Sequence, residues 1–401
     1  MIGLIREAAA RLEGVVSRTP VVCSASLGGM LGVELCMKLE NMQKTGSFKA
    51  RGAYNRISTL DDGKRRAGVV AASSGNHAQG VAWAAARLGV RSVIVMPETA
   101  PIIKQVATRG YGGEVVLHGR GFEDAMERAL ELASEQGLTL VHAFDDDFVI
   151  AGQGTVGLEI MEELADADTV VVPVGGGGLI SGISTAVKAL NPSVRVVGVE
   201  AAASPSCSAA LEAGRPVDVA PADTIADGIA IKRLCRRTLS IIAEKVDDVV
   251  TVDEDAIAAA VLKLLERKKL MVEGAGATAL AACMEGKLPP GARKVVLVAS
   301  GGNMDVTTLD RIIRLGLLRE GRIRRISTLL RDAPGELARL TALLAARRSN
   351  ILEVTHERDR MDVPVGKALI HITIEVEDGE HGAAVTAALK DAGYRLEGPS
   401  L

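Results

Sequence analysis

The sequence predicts an α/β protein built on open, mostly parallel sheets, followed by a smaller α+β domain. From about residue 30 to residue 315, short apolar β-branched runs alternate with Ala-rich helical patterns, and the pattern then changes. Near-continuous apolar strands are typical of parallel sheets that helices cover on both faces. The predicted strands lie at 34–40, 68–73, 91–97, 113–118, 169–174, 194–200 and 294–300.

The last part of the chain has a different order of elements. Strand patterns and helix patterns there follow the order βαββα, with an optional final strand at 394–397. This order describes a small ferredoxin-like sandwich. The predicted strands lie at 325–332, 350–357 and 367–377, and the predicted helices at 334–348 and 381–393.

The domain boundary follows from this change of pattern. The Arg-rich segment 314–325 is interpreted as a connector. We therefore place one domain at 1–320, with a smaller mobile subdomain at about 68–146 inserted into it, and a second domain at 326–401.

The composition narrows the class of protein. The net charge is −3 and the basic residues do not cluster strongly, so nucleic acid is not an expected partner. Five cysteines without a C-x-x-C pair predict reduced thiols in the cytosol. Arg6 and Glu7 interrupt the N-terminal apolar stretch, and no later run approaches the length of a membrane span. We expect a cytoplasmic protein that does not enter a membrane.

The segment Ser47-Phe48-Lys49 opens a predicted helix shortly after the first strand. An aromatic neighbour and the positive end of a helix both disfavour the ammonium form of Lys49 and favour a nucleophilic amine. The alternative is an ordinary solvated lysine at a helix start.

A second polar cluster, S-S-G-N-H at 73–77, lies on the turn from a buried strand into a helix. Its hydroxyls and free backbone N–H groups are suited to an anion such as a substrate carboxylate. The alternative is structural, because Ser74 or Asn76 could simply cap the helix.

Two further loops follow predicted strands. Four successive glycines, Gly175 to Gly178, allow close approach of the backbone to a phosphate at the start of a helix. In A-S-G-G-N at 299–303, the Ser300 hydroxyl is able to hydrogen-bond a heterocyclic nitrogen, although a cap for a helix at 303–313 explains it equally well.

The glycine loop also supports a competing hypothesis, an NAD-dependent oxidoreductase. The loop, Gly182 and a later Glu200 at a strand end imitate a dinucleotide-binding fingerprint. A second near-match to this fingerprint, formed by Gly152, Gly154 and Gly157, follows an acidic stretch rather than a clear strand. This hypothesis leaves Lys49 and the 73–77 cluster without a role, so it ranks second.

Taken together, these motifs resemble the fold-type II pyridoxal-phosphate enzymes, and most closely the threonine dehydratases. The resemblance covers about residues 5–315, and Ala50 after the lysine is typical of the dehydratase and serine racemase group, where threonine synthases carry Asp. A-G-Q-G-T at 151–155 and T-I-A-D-G at 224–228 are also similar to that group. D-A-P-G-E-L at 332–337 resembles an ACT domain, a small regulatory sandwich that binds amino acids.

The resemblance implies a role for each motif. Lys49 would hold pyridoxal 5'-phosphate covalently and later take the Cα proton of the substrate, whereas Asn76 would contact the ring hydroxyl. Ser300 would face the ring nitrogen, and a serine cannot protonate it as Asp would, which favours β-elimination over transamination. The implied cofactor-binding residues are Phe48, Lys49, Asn76, Gly175, Gly176, Gly177, Gly178, Leu179 and Ser300, and the implied substrate-binding residues are Ser73, Ser74, Gly75, Asn76 and His77.

The implied reaction is elimination of water from L-threonine, and also from L-serine, to give 2-oxobutanoate or pyruvate and ammonia. Ser74 is an implied second catalytic residue, because related racemases keep an opposite-face base there, and this leaves a serine racemase as an alternative. We expect no metal. Glu200 is a weak candidate ligand, because Ser206 occupies the position where metal-binding relatives supply Asp. Glu200 could equally be the exposed end of a surface strand.

Regulation is also implied by the resemblance. The ACT-like domain would bind isoleucine or valine as an allosteric effector, in a homotetramer or homodimer, and isoleucine biosynthesis is the implied pathway. A non-catalytic amino-acid sensor is a third class of function, disfavoured because the set of Lys49, Asn76, the glycine loop and Ser300 is complete. The preference for threonine or serine and the sign of the effector stay open.

Overall fold

A computed structural model describes residues 1–220, 222–359 and 361–396. The chain forms two compact units, Met1–Asp305 and Val306–Leu401. This division comes before the boundary that the sequence predicts at residue 320. The predicted connector 314–325 is not a linker, because it contains the end of one helix and the start of one strand. The helix buries Ile312 and Gly316, so the segment is amphipathic rather than unstructured.

The first unit contains two sheets. Its strands are β1 Val21–Cys23, β2 Glu34–Lys38, β3 Val69–Ala72, β4 Ser92–Met96, β5 Glu114–Leu117, β6 Thr139–Leu140, β7 Thr169–Pro173, β8 Arg195–Ala201, β9 Asp248–Val252 and β10 Lys294–Val298. The larger sheet has the order β1-β2-β10-β7-β8-β9 and is parallel except for β1. The smaller sheet is parallel with the order β5-β4-β3-β6 and lies in the predicted insertion at 68–146, whose mobility stays a prediction.

Helices of the first unit connect and cover these strands. They are α1 Ile2–Leu12, α2 Ala25–Leu31, α3 Lys49–Ser58, α4 Asp62–Ala67, α5 Asn76–Arg87, α6 Ile102–Gly110, α7 Phe122–Gln136, α8 Asp147–Glu163, α9 Gly178–Leu190, α10 Ser206–Ala213, α11 Arg236–Lys245, α12 Glu254–Lys263 and α13 Gly274–Met284. Short 3₁₀ turns form at Glu40–Met42 and Asp227–Ile229, and a π-helical turn, Leu264–Lys268, continues α12.

The seven strands predicted in this part of the chain are all present, whereas β1, β6 and β9 were missed. Every residue of β3, β4 and β7 is buried, which explains why their apolar runs are continuous. The missed strands lack this signal because β1 and β6 have only three and two residues and β9 lies half-exposed at a sheet edge.

Close helix packing explains the glycine pattern at 152–157. This pattern lies in the middle of α8 rather than on a strand-to-helix turn, so it cannot form a dinucleotide-binding loop. A Cβ on Gly154 would lie 2.9 Å from the Gly182 carbonyl oxygen of α9, and one on Gly152 would lie 2.6 Å from the Gly52 Cα of α3. The glycines therefore let three helices approach closely.

From Ile323 onward, the second unit has the predicted order of elements, and it is preceded by a helix that the predicted boundary had assigned to the first domain. Its sheet is antiparallel with the order β11-β13-β12, where β11 is Ile323–Arg331, β12 is Asn350–Glu357 and β13 is Lys367–Glu375. Its helices are α14 Val306–Arg319, α15 Glu336–Ala346 and α16 Gly379–Asp391. Of the optional last strand at 394–397, Leu396 forms an isolated bridge with Thr328, and residue 397 lies outside the described residues.

The cysteines differ from the expectation of five reduced thiols. Cys23 and Cys36 form a disulfide, because antiparallel pairing of β1 with β2 places them directly opposite each other. The other three cysteines are free. The sequence did not show this pair, since the thiols are 13 residues apart and only the sheet brings them together.

None of the described helices combines the length and apolar character that crossing a membrane requires.

Candidate active site

A cavity of about 970 Å³ in the first unit brings the four sequence motifs together. Residues from all four motifs line it, although they lie far apart in sequence. The predicted site residues on its wall are Phe48, Lys49, Ser73, Ser74, Gly75, Asn76, His77, Gly175, Gly176, Gly177, Gly178, Leu179 and Ser300.

Lys49 is the first residue of α3 and lies on the cavity wall. Its Nζ donates a hydrogen bond to the Ala143 carbonyl oxygen at 3.0 Å and lies 5.2 Å from the centroid of the Phe48 ring. The surrounding protein desolvates the amine and lowers its pKa to about 8, although the negative charge of Glu273 opposes this shift. Lys49 is therefore not the solvated lysine of the alternative hypothesis.

A buried ionic network holds the first turn of α3. The Arg51 guanidinium is completely buried and pairs with Glu40 at 2.7 Å and with Glu159 at 2.5 Å. Lys38 is also buried and contacts Glu159 at 2.7 Å. Arg51 lies only two residues after Lys49, but nothing in the local sequence predicted its role in this network. These ion pairs tie the helix that carries Lys49 to β2 and α8.

The 73–77 segment connects β3 to α5. Gly75 is the N-cap of α5 and no side chain caps the helix, so the alternative in which Ser74 or Asn76 serves as a cap is wrong. The Ser73 hydroxyl oxygen instead accepts a hydrogen bond from the Gly75 N–H at 3.2 Å. The first N–H groups of a helix have no partner within it. The segment therefore presents such groups at the cavity wall.

His77 is buried in the first turn of α5, and its Nε2 lies 2.8 Å from the Val141 carbonyl oxygen. A carbonyl accepts hydrogen bonds only, so this contact places the imidazole proton on Nε2. Burial and the nearby Lys49 charge lower the pKa of His77 to about 3. His77 is therefore neutral near pH 7.

Asn76 is held by two residues from the carboxyl edge of the larger sheet. Its Nδ2 donates to Glu273 Oε1 at 2.6 Å, and its Oδ1 accepts from Asn303 Nδ2 at 2.8 Å. Glu273 is buried, and its burial together with the charge of Asp227 raises its pKa to about 7. Asp227 also pairs with Lys104 at 2.6 Å, and both line the cavity.

Glu273 was not predicted as a site residue from the sequence. The signal available was an acidic residue directly before the Gly-Ala-Gly start of an otherwise apolar helix, α13. Such a residue is more often an ordinary helix cap. Only the fold shows that this carboxyl group faces Asn76, which is 197 positions away in the sequence.

The glycine loop opens α9 and shapes another part of the wall. Gly177 is the N-cap of α9 and has a φ of +84°, in the left-handed region that favours glycine. A Cβ on Gly176 would lie 2.2 Å from the Phe144 ring, and one on Gly175 would lie 2.9 Å from the Ile229 Cα. Backbone N–H groups and the positive end of α9 therefore reach the cavity without side chains, as anion binding requires.

Ser300 follows β10 and lines the cavity. Its carbonyl oxygen accepts a hydrogen bond from the Phe48 N–H at 3.1 Å, which links the serine loop to the lysine loop. The next helix, α14, begins at Val306, so Ser300 does not cap the helix that the sequence predicts at 303–313. The capping alternative is therefore wrong.

Comparison with known proteins agrees with this arrangement. A family model described as pyridoxal-phosphate dependent enzyme matches residues 12–301. The chain belongs to this family. It is 47% identical to an L-threonine ammonia-lyase of Thermotoga maritima, over 98% of both chains. Among solved structures, it resembles the processed form of threonine deaminase isoform 2 from Solanum lycopersicum, with a TM-score of 0.74, 39% identity and coverage of 78% of this chain and 92% of the other. It also resembles maize serine racemase, with a TM-score of 0.75, 39% identity and coverage of 79% and 98%.

Membership in this family makes pyridoxal phosphate the cofactor and contradicts the NAD-dependent alternative. The cavity fits such a group on its own geometry. It has a lysine amine with a lowered pKa, a side-chain-free anion site at the start of α9 and a serine hydroxyl on one continuous wall. These features match an aldehyde, a phosphate and a pyridine nitrogen, respectively.

Glu200 lies outside this cavity. It is completely buried in β8, and its carboxylate accepts hydrogen bonds from the Cys207 N–H at 2.6 Å and from the Ser208 N–H and hydroxyl at 2.9 and 2.8 Å. Glu200 therefore caps the start of α10, and the alternative of a surface strand end is wrong. Burial raises the pKa of Glu200. Because both of its oxygens already accept hydrogen bonds, it is a poor ligand for a hard cation.

Proposed function

We propose that this protein is an L-threonine ammonia-lyase, which eliminates water from L-threonine, and from L-serine as a second substrate. The products are 2-oxobutanoate or pyruvate and ammonia. One observation carries the proposal: a partly desolvated lysine amine, an anion site at the start of α5 and a glycine loop at the start of α9 share one cavity. The similarity to ammonia-lyases over nearly the whole chain supports the same activity.

When bound, pyridoxal phosphate withdraws electrons from the Cα of the amino acid and so acidifies its proton. The Lys49 amine holds the cofactor between turnovers and takes the Cα proton during each turnover. Its lowered pKa suits this role because a general base works best with a pKa near the working pH. The hydroxyl group then leaves the adjacent β-carbon, takes up a proton and departs as water, and hydrolysis of the resulting enamine by a second water gives the 2-oxo acid and ammonia.

The remaining residues orient the reactants. The backbone N–H groups of Ser74, Asn76 and His77 bind the substrate carboxylate, and the contact of His77 Nε2 with the Val141 carbonyl oxygen holds this first turn of α5 in place. The N–H groups of the glycine loop and Leu179 bind the cofactor phosphate at the positive end of α9. Ser300 and Phe48 line the cavity, where Ser300 would hydrogen-bond the ring nitrogen without protonating it and Phe48 would flank the ring.

The test is release of 2-oxobutanoate from L-threonine by the cofactor-loaded enzyme. We expect activity in the wild type and none in Lys49→Ala. A matched control is Lys44→Ala, which changes an exposed lysine five positions earlier and should retain activity. An active Lys49→Ala variant, or an inactive wild type that carries its cofactor, would contradict the proposal.

Ser74 supports a second candidate activity, racemisation of serine. It lies on the cavity wall, and maize serine racemase is a structural neighbour. Chiral analysis of serine after incubation separates the two activities. If Ser74 is an opposite-face base, Ser74→Ala loses D-serine formation and retains pyruvate formation from L-serine.

For the second unit, we propose an ACT-like regulatory domain that binds isoleucine or valine. A cavity of about 320 Å³ at the turn between β11 and α15 is lined by residues 330–337, His356 and Arg358. Arg358 pairs with Asp332 at 2.9 Å on this wall, so the cavity offers charges of both signs, as an amino acid requires. Isoleucine should change the activity of the full chain, and Ala333→Trp, which fills the cavity, should remove the response without changing basal activity. An unchanged response would contradict the proposal.

We propose a cytoplasmic homotetramer or homodimer that acts in isoleucine biosynthesis, and light scattering measures its mass directly. Reduced thiols were one basis for the predicted cytoplasmic location, and the Cys23–Cys36 disulfide corrects that expectation for two of the five cysteines.

A further inference from the structure

The side-chain amide of Asn76 has a fixed orientation. Its Nδ2 lies 2.6 Å from Glu273 Oε1, which accepts a hydrogen bond, and its Oδ1 lies 2.8 Å from Asn303 Nδ2, which donates one. With the Glu273 carboxylate ionised, a flipped amide would place Oδ1 against a carboxylate oxygen and Nδ2 against the Asn303 amino group. Both contacts would then be repulsive, so the two neighbours select one of the two amide orientations.

The neighbours are themselves held in place. Asn303 Nδ2 also donates to the Thr45 carbonyl oxygen at 2.7 Å, which assigns its amino group independently of Asn76. Glu273 precedes α13, and its N–H donates to the Gly301 carbonyl oxygen at 3.0 Å. A Cβ on Gly301 would lie 2.4 Å from Glu273 Oε1, so the absence of a side chain at Gly301 leaves room for this carboxyl group.

The fixed amide leaves one donor for the cavity. An amide nitrogen carries two hydrogens, and Glu273 accepts one of them. Among the described residues, no second acceptor contacts Nδ2. Asn76 lines the cavity that holds the lysine and the glycine loop. A free N–H is the group that recognises an oxygen anion.

We propose that Glu273 is a positioning residue that acts through Asn76: it holds the amide so that its second Nδ2 hydrogen is available to the ring oxygen of pyridoxal phosphate. The inference deepens the proposed function, because it assumes that the cofactor occupies this cavity. Glu273 does not touch the reacting atoms in this account. Its carboxyl group determines which face of Asn76 the cofactor meets.

The test measures cofactor binding, without any amino-acid substrate. Apo-protein is titrated with pyridoxal phosphate, and the dissociation constant and the absorption maximum are recorded for wild type, Glu273→Ala, Glu273→Gln, Asn76→Ala and the double variant. Glu285→Ala, at the other end of α13, is the matched control for a general effect on this helix. Circular dichroism verifies that each variant is folded.

We expect Glu273→Ala to weaken binding about tenfold, the effect of one lost oriented hydrogen bond, and to shift the absorption maximum. Glu273→Gln retains an acceptor and should stay within about threefold of wild type. In the Asn76→Ala background, removal of Glu273 should change the affinity by less than about twofold, since the residue acts through Asn76.

Two results would overturn the inference. One is an unchanged affinity and spectrum in Glu273→Ala, and the other is an equal loss with and without Asn76. If Glu273→Ala does not fold, Asn303→Ala removes the opposite restraint, and the same loss and spectral shift are expected. Because no amino acid is present, the outcome does not depend on whether threonine is the substrate, which the ammonia-lyase assay decides separately.

Discussion

Arg51 and Glu40 form a completely buried ion pair, in which Arg51 Nη2 lies 2.7 Å from Glu40 Oε1. Arg51 lies two residues after Lys49, the lysine of the candidate active site. Burying two charges costs desolvation energy, which is offset only when the geometry and further hydrogen bonds are good. Here the guanidinium also contacts both oxygens of Glu159 and the Thr155 hydroxyl. The network therefore fixes the start of α3 with respect to two other elements.

Arg51→Met should destabilise the protein strongly. The substitution leaves the buried Glu40 carboxylate without its partner, and breaking a buried pair in this way costs about 3–5 kcal/mol. Urea unfolding measures the effect. The control is Arg91→Met, which removes an exposed pair with Glu114 and should not shift the transition measurably. Equal shifts in the two variants would show that the buried network has no special weight.

Gly176→Ala should reduce the affinity for pyridoxal phosphate by at least about tenfold. The new Cβ would lie 2.2 Å from the Phe144 ring, so either the loop or the ring must move. Gly29→Ala is the matched control, because no atom lies within 4 Å of the added Cβ and Gly29 lies inside helix α2. Fluorescence titration of the apo-proteins checks this, and wild-type affinity in Gly176→Ala would be contrary to the expectation.

The rate at which apo-protein takes up pyridoxal phosphate should rise with pH, with a midpoint near 8. The neutral amine is the nucleophile, and the pKa of Lys49 is lowered to about 8 from its usual 10.5. Stopped-flow absorbance measures the rate. A midpoint near 10.5 would mean that the amine is solvated.

Acid should destabilise the fold partly through His77. Its pKa is about 3 in the folded protein, against 6.5 for an ordinary solvated histidine, so between these values the unfolded chain binds a proton that the folded chain excludes. Stability therefore rises with pH across this window, by up to about 1.4 kcal/mol per pH unit. His77→Gln should reduce the slope, measured by urea unfolding from about pH 4 to 6, and His118→Gln, at an exposed position, should not.

Local patterns predicted the parts of the fold whose signal is short-range. The apolar runs at 69–72 and 169–173 identified strands because both of their faces are buried, and Gly175 to Gly178 predicted a loop at the start of a helix because glycine permits such a turn. Local patterns did not predict β6, because it has only two residues. They also gave a wrong prediction for the segment 314–325, which was interpreted as a connector because of its arginines but contains the end of α14 and the start of β11. Charge alone did not distinguish a connector from an amphipathic element.

The sequence by itself determined the chemistry that is available, since the lysine, the glycine loop, the 73–77 cluster and Ser300 were all recognisable from residue type and position. The tertiary structure alone decided which groups meet. It paired Cys23 with Cys36, used Glu200 to cap a helix and set Glu273 against Asn76. These relationships join residues that are up to 197 positions apart, and a sheet or a cavity wall, rather than local propensity, sets the distance between them.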